Sequence, residues 1–171
     1  FHVNAFGWRG SSLAVKRLGA AVSEIKGVAR TQPIAAAEGV VQLCERIWPA
    51  LQHVDSSSGA LGTAVVKSLE ALMPILADSP ADESLRRLWL DRLFEAVQGD
   101  GVEYLSVVQH HWAEICRYPN LISRWTDLTL PTLRRAWANR NEFGYFAATD
   151  ICLACLLEVG RYKELKGVLL L

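Results

Sequence analysis

Apolar residues recur along this chain at the three- and four-residue spacing of one face of an α-helix. The first such run is Ala14, Leu18, Ala21, Ile25 and Val28, with successive spacings of 4, 3, 4 and 3. A period near 3.6 residues places all members of a run on one side of a helix. Similar runs continue to the last residue, and no strand-type alternation bounded by turn residues interrupts them. The sequence therefore predicts an all-α fold.

Capping residues, proline and glycine divide this pattern into about seven or eight helices. Ser11 or Ser12 can cap the first helix, so residues 1–10 are expected to form a non-helical N-terminal segment. Pro33 suits the first turn of the second helix, and either Asp82 or Ser79 in DSPADES can cap the fourth. Gly160 suits a left-handed residue that ends a helix. The other expected helices span residues 60–77, 102–117, 120–139 (divided or kinked at Pro131), 143–159 and 161–171.

Helices of this length joined by short polar loops fit either an antiparallel bundle or an α-solenoid. An internal echo favours the solenoid, because residues 47–51 and 72–76 share an apolar-apolar-Pro-x-Leu pattern 25 residues apart. We therefore expect antiparallel helix pairs stacked as a right-handed α-solenoid, with residues 11–171 as one helical-repeat domain. The leucine-rich end, GVLLL, suggests that this domain is part of a longer protein.

The balance of charge bounds the classes of partner. The chain has 18 basic and 18 acidic residues in 171 and no net charge. Nucleic-acid-binding domains usually carry a basic excess, since counterion release drives their affinity, so we do not expect a nucleic-acid partner. The apolar stretch 34–43 is too short to cross a bilayer, and we expect no membrane span. The four cysteines are scattered through helical patterns, which indicates a reducing cytoplasm.

The segment CLAC places two thiols, Cys152 and Cys155, in a C-x-x-C arrangement. On a helix they share a face with Tyr145, Ala148 and Val159, and together these residues form an apolar stripe. A structural zinc site needs two further ligands, and a redox pair of the thioredoxin type lies at a helix N-terminus after a strand. Neither context is present, so the pair is interpreted as core packing.

A second candidate for chemistry lies in YLSVVQHHWAEICR. His110 shares a predicted helix face with Glu103 and Glu114, at spacings of 7 and 4. Two carboxylates and an imidazole on one face could begin a metal site in a helical bundle, although the partner Glu-x-x-His motifs are missing. The alternative is a solvated face on which Glu114 pairs with His110 one turn away.

Tryptophan and arginine, the residue types enriched at binding hot spots, cluster in two places. Trp89 lies near Arg86, and Trp137 lies near Arg134. Most of the tryptophans are expected in the core between helices, and some arginines in solvated ion pairs. We nevertheless predict these four residues as the contacts of a partner-binding surface, formed by apolar area rimmed with charge.

Residues 148–165 resemble the middle of a tetratricopeptide repeat. In that family a Gly-x-Tyr turn ends one helix and an acidic residue opens the next, and Gly160, Tyr162 and Glu164 stand in those places. Leu165 replaces the usual small residue. The resemblance implies a helical-repeat protein of the interaction-scaffold kind. Residues 53–72 are also similar to uncharacterised bacterial helical proteins associated with SWIM-type zinc elements, but the C-x-C signature is absent and only a bacterial origin is implied.

Three hypotheses for function follow. The first is a non-catalytic module whose concave face binds a protein or peptide and which needs no cofactor. The second is a metal-dependent enzyme with a site around Glu103, His110 and Glu114. The third is a structural module whose apolar terminal helix pairs with a second copy, giving a homo-oligomer. The first is the reading that the sequence favours.

Overall fold

The computed structural model describes residues 8–54, 59–138 and 146–171. Within these ranges the chain forms helices and no β-strand, which confirms the all-α prediction. The helices are α1 (Trp8–Ala29), α2 (Pro33–Leu51), α3 (Ala60–Ala77), α4 (Glu83–Gly99), α5 (Ser106–His110), α6 (Trp112–Cys116), α7 (Pro119–Ala138), α8 (Thr149–Glu158) and α9 (Tyr162–Leu169).

The capping signals place most helix ends correctly. Pro33 opens α2, where its missing N–H leaves no unsatisfied donor. The carboxylate of Asp82 accepts a hydrogen bond from the backbone N–H of Leu85 at 2.8 Å and so caps α4. The first boundary is wrong: α1 already begins at Trp8, within the segment 1–10 that was expected to be non-helical. Residues 1–7 lie outside the described ranges.

The predicted helix 102–117 is replaced by two short helices. The carboxylate of Asp100 accepts hydrogen bonds from the backbone N–H groups of Val102 (3.2 Å) and Leu105 (2.7 Å). This local bonding competes with helix formation and holds the chain in a turn up to Leu105. A second interruption at His111 separates α5 from α6. By contrast, α7 runs through Pro131 and is not divided there.

The turn between α8 and α9 has the form expected from its glycine. Gly160 has a φ of +74°, which glycine adopts without steric cost. The backbone N–H of Arg161 donates to Leu156 O at 3.0 Å, and that of Gly160 donates to Leu157 O at 3.2 Å. These two bonds form a Schellman motif and end α8. The start of α8 at Thr149 is later than predicted, and Tyr145 lies outside the described residues.

Helix contacts follow the order of the chain. α1 packs on α2 and α3, and α2 packs on α3 and α4. If α5 and α6 are counted as one interrupted helix, each substantial helix–helix contact joins either neighbours or next-but-one helices. One large core runs through α1–α8, and a smaller cluster lies between α7, α8 and α9. The three aromatic rings of Phe94, Trp112 and Trp125 pack together in the large core.

One helix of the described ranges, α3, is long and apolar enough to cross a bilayer by length and composition alone. Sequence reasoning did not single out this segment. In the structure α3 buries one face in the core of this chain, with Leu61, Leu69 and Leu76 fully covered. Core helices of soluble proteins pass the same test, so α3 is only weak support for a membrane span. The expectation that the chain has no membrane span stays a prediction.

A candidate binding groove between α1 and α2

The apolar stripe of α1 is shared between the core and an open groove. Leu18 and Ile25, two turns apart, are 8% and 9% exposed and belong to the large core. Leu13 and Val28 are 48% and 36% exposed on the flank of the same stripe. An apolar stripe on a helix covers more than 100° of its surface, and the neighbouring helices here cover only the middle of it.

The groove takes its shape from small side chains. Leu13, Ala14 and Ala21 of α1 and Leu43, Ile47 and Ala50 of α2 line a cavity of about 340 Å³. Alanine leaves open space between two helix backbones where a larger side chain would fill it. The result is a mostly apolar depression on the outside of the helix pair, and we call it the α1–α2 groove.

Two arginines reach this groove, one from each helix. Arg17 and Arg46 line the same cavity, and no acidic side chain lines it with them. Neither guanidinium forms an ion pair or a hydrogen bond with any residue in the described ranges. Arginine left unpaired beside apolar surface is a combination common in protein-binding sites.

A third arginine holds both carboxylates of α2. Arg92 of α4 binds Glu45 through two hydrogen bonds of 2.8 and 2.7 Å and binds Glu38 at 2.8 Å. The bonds from Arg92, together with its charge and that of Arg46, hold the pKa of Glu45 below its usual value. Arg46 therefore lies beside a carboxylate that is already neutralised by another partner.

The groove continues toward the other end of the helix pair. A second cavity, of about 380 Å³, shares Ala21, Leu43 and Arg46 with the first. Its polar lining is different, because Glu24 and Gln42 contribute to it. The α1 side of the two cavities runs from Gly10 to Val28. With a rise of 1.5 Å per residue, that stretch is about 27 Å long.

Comparison with protein-family models, with curated proteins and with solved structures gives no match. Function is therefore inferred from the geometry of the groove and of the other candidate sites.

Two residues predicted for a partner surface are in the interior. Arg86 is fully buried, and its guanidinium donates to main-chain carbonyl oxygens of α3, of the turn after it and of α6. Trp89 is 1% exposed, and its indole N–H donates to Glu38 Oε2 at 2.7 Å. Neither side chain can contact a partner in this structure, so the prediction of a surface at Arg86 and Trp89 is wrong.

The other two predicted contacts do reach the surface, close to α9. The side chain of Arg134 is 48% exposed and donates to Glu164 at 3.1 Å. Trp137 is partly buried against the small cluster between α7, α8 and α9. Both therefore help to attach α9 to α7. A role of Arg134 and Trp137 in partner binding stays a prediction.

The proposed metal ligands do not converge. His110 Nε2 lies 3.2 Å from Asp150 of α8, while Glu114 contacts His111 Nδ1 at 2.7 Å. The expected pairing of Glu114 with His110 is wrong because the helix is interrupted at His111. Glu103 lies in the turn before α5 with a φ of +61°. Over the described ranges no three His, Cys, Asp or Glu side chains are placed to hold a metal ion.

The C-x-x-C pair is in the core, as interpreted. Cys152 and Cys155 are both fully buried, but they enter different clusters: Cys155 the large core and Cys152 the small one. All four cysteines are free. Burial is the main cause that raises the pKa of Cys116 and of Cys152, which keeps these thiols in their unreactive neutral form.

Sequence reasoning missed the α1–α2 groove. The run that begins at Ala14 predicts one helix face but not what covers it, and two of its five members are alanine. A signal was present, since Leu13 and Arg17 flank that run one turn apart. Small residues next to an exposed leucine and an arginine indicate a surface groove more than a closely packed contact between helices.

Proposed function

We propose that this chain is a non-catalytic helical-repeat module that binds a partner protein in the α1–α2 groove. The observation that carries the proposal is an open, mostly apolar depression whose two arginines have no partner among the described residues. Grooves between two helices commonly receive the apolar face of a third. The volume, composition and charge of this groove suit such a ligand.

The contact order of the helices supports the repeat architecture. In a solenoid each unit touches only its neighbours, so helices contact the next and the next-but-one helix. The contacts of α1 with α2 and α3, and of α2 with α3 and α4, have this order. We therefore retain stacked antiparallel pairs in a right-handed array as part of the proposal.

The test uses a photo-crosslinking amino acid at Leu13, which lines the groove and is 48% exposed. In cells that express the protein, irradiation is expected to join this position to one discrete protein. Leu88 of α4, 61% exposed and outside the groove, is the control position for the probe. Equal products from both positions would show non-specific contact and count against the proposal.

A blocking substitution makes the result specific. Ala50 lines the groove and is exposed, so Ala50→Trp fills the depression without touching the core. Ala20 is an exposed alanine of α1 outside the groove, and Ala20→Trp is the matched control. We expect Ala50→Trp to abolish the cross-link from Leu13 and Ala20→Trp to leave it intact. A cross-link that survives Ala50→Trp would overturn the proposal.

A second candidate function is self-association through α9. Tyr162 and Leu169 of α9 and Leu170 directly after it are 62%, 59% and 72% exposed, which is a large apolar surface around one short helix. If α9 pairs with a second copy, the mass in sedimentation equilibrium will rise with concentration, and Leu169→Glu will restore the monomer. A monomer at all concentrations would remove this candidate.

A further inference from the structure

The charges along the α1–α2 groove are ordered, and the order specifies the ligand. Arg17 lines only the first cavity, Glu24 lines only the second, and Arg46 lines both. Arg17 and Glu24 are seven residues apart on α1, so they point to the same side and are separated by about 10 Å along the axis. The groove therefore carries Arg17 toward one end, Glu24 toward the other and Arg46 between them on one apolar floor.

We infer that the ligand of this groove is an amphipathic helix that sets a carboxylate against Arg17 and Arg46 and a basic side chain against Glu24. This inference rests on the proposed function and adds the chemistry of the partner. A helix lying along α1 would carry the two charges about two turns apart beside its apolar face. The carboxylate of the ligand is expected to contribute more to binding than its basic side chain, because α1 has four basic residues and one acidic residue.

The shape of the site favours a helix over a fatty acid, the other amphipathic anion that an apolar groove with arginines could hold. A fatty acid has one carboxylate and no cation, so Glu24 would remain unpaired at the far end. The groove is also open along its length of about 27 Å, which matches a helix of about 18 residues. An enclosed pocket would be expected for a single acyl chain, since such sites bury most of their ligand.

The charged side chains of the groove have no ion-pair partner among the described residues. Neither Arg17 nor Arg46 forms an ion pair there, and Glu38 and Glu45 of α2 are bonded to Arg92. Glu24 likewise forms no ion pair with any residue of the described ranges. The protein thus keeps opposite charges available at the two ends of one groove, and a partner with the reverse order satisfies both.

The experiment uses three fluorescein-labelled synthetic helical peptides of about 20 residues, long enough to span the groove. They share one leucine face and differ at two positions about two turns apart. One peptide carries Glu and Lys there, the second Gln and Gln, and the third Lys and Lys. Binding to the whole chain is measured by fluorescence anisotropy.

The Glu/Lys peptide is expected to bind roughly 3- to 10-fold more tightly than the Gln/Gln peptide, the effect of two partly exposed ion pairs. The Lys/Lys peptide is expected to bind more weakly than the Gln/Gln peptide. The preference should shrink as salt rises from about 50 mM to about 500 mM, because exposed pairs are screened. Ala50→Trp should weaken all three peptides.

Variants of the protein assign the effect to the named residues. The double variant Arg17→Gln with Arg46→Gln should reduce the preference for the Glu/Lys peptide over the Gln/Gln peptide to about 1.5- to 3-fold, the part that Glu24 contributes. Lys16→Gln is the matched control, because Lys16 is an exposed cation of α1 that does not line the groove. It should leave the preference unchanged.

The outcomes separate this inference from the proposed function. If the Gln/Gln peptide binds as tightly as the Glu/Lys peptide and Ala50→Trp weakens both, the groove binds helices but the inferred charge order is wrong. If no peptide binds at concentrations up to about 1 mM, the groove does not bind helices and both statements fail. If palmitate binds in a manner that depends on Arg17 and Arg46 while no peptide does, the ligand is a fatty acid and the inference is overturned.

Discussion

Replacing Arg86 by methionine removes the donors that connect the ends of two helices. Its guanidinium lies in the interior without a carboxylate partner, and it donates to five main-chain carbonyl oxygens. They belong to Leu76, Ala77, Ser79, Ala81 and Ile115. The last carbonyls of a helix have no partner within the helix, so Arg86 caps α3 and joins it to α6.

The magnitude follows from which carbonyls have a second donor. Ala77 O also accepts from Arg117, and Ala81 O also accepts from the hydroxyl of Tyr118. The other three carbonyls lose their side-chain donor when Arg86 is replaced. Each buried acceptor left unsatisfied costs about 1–3 kcal/mol. Removing the guanidinium also removes its own desolvation cost, which offsets part of this sum, so we expect a loss of about 3–5 kcal/mol.

Urea unfolding followed by tryptophan fluorescence measures this loss. With a slope of about 2 kcal/mol per molar urea, the midpoint of Arg86→Met should fall by roughly 1.5–2.5 M. Arg87→Met is the matched control: Arg87 is the next residue of α4 and is exposed. It should change the stability by less than about 0.5 kcal/mol.

Arg86→Lys separates charge from hydrogen bonding. Lysine keeps the positive charge but offers three donors from one nitrogen in place of the planar fork of arginine. It cannot reach carbonyls spread over α3, the following turn and α6, so it should recover less than half of the loss. The reasoning would be refuted if Arg86→Met were no more destabilising than Arg87→Met, or if lysine restored full stability.

Three further predictions concern the ion pairs, the thiols and the α8–α9 turn. Partial burial works to raise the pKa of Glu38, but hydrogen bonds led by that of Arg92 hold it below its ordinary value of 4.5. This carboxylate therefore stabilises the fold above pH about 4.5 and loses that effect as the pH falls through its folded pKa. In Arg92→Gln the free energy of unfolding should consequently fall less steeply as the pH is lowered below about 4.5. Burial raises the pKa of Cys44 to about 12, so the native protein should not react with Ellman's reagent at pH about 8, and all four thiols should react in guanidinium. Gly160→Ala should cost roughly 1 kcal/mol in urea unfolding because alanine is strained at positive φ, whereas Gly167→Ala, within α9 and in open space, should be neutral or stabilising.

Each of these has a result that would contradict it. An acid limb with the same steepness in Arg92→Gln would mean that the ion pairs do not set the pKa of Glu38. Rapid labelling of a thiol in the folded protein would place that cysteine at the surface. If Gly160→Ala and Gly167→Ala had equal effects on the unfolding midpoint, the left-handed turn would not be the cause.

Local signals in the chain determined the helices and most of their ends. Pro33, Asp82 and Gly160 act through their own backbone or through partners within a few residues, so their effect can be read from sequence. The interruption of the predicted fifth helix was missed, although its cause is also local. The carboxylate of Asp100 accepts hydrogen bonds from backbone N–H groups two and five residues ahead, which competes with helix formation. The apolar residues of the segment still have helical spacing, so the pattern alone predicts a continuous helix.

The tertiary structure decided which side chains are available to a partner. Periodicity gives the face of a helix but not what covers it, because coverage depends on helices that are distant in sequence. The sequence predicts Arg86 and Trp89 at a surface. In the structure both are buried, and they donate hydrogen bonds to main-chain carbonyl oxygens and to Glu38, respectively. Arg17 and Arg46 drew no attention, yet both line the groove and neither forms an ion pair or a hydrogen bond with a residue of the described ranges. The sequence alone determined an all-α chain with identifiable helix ends, and only packing separated the core from the groove.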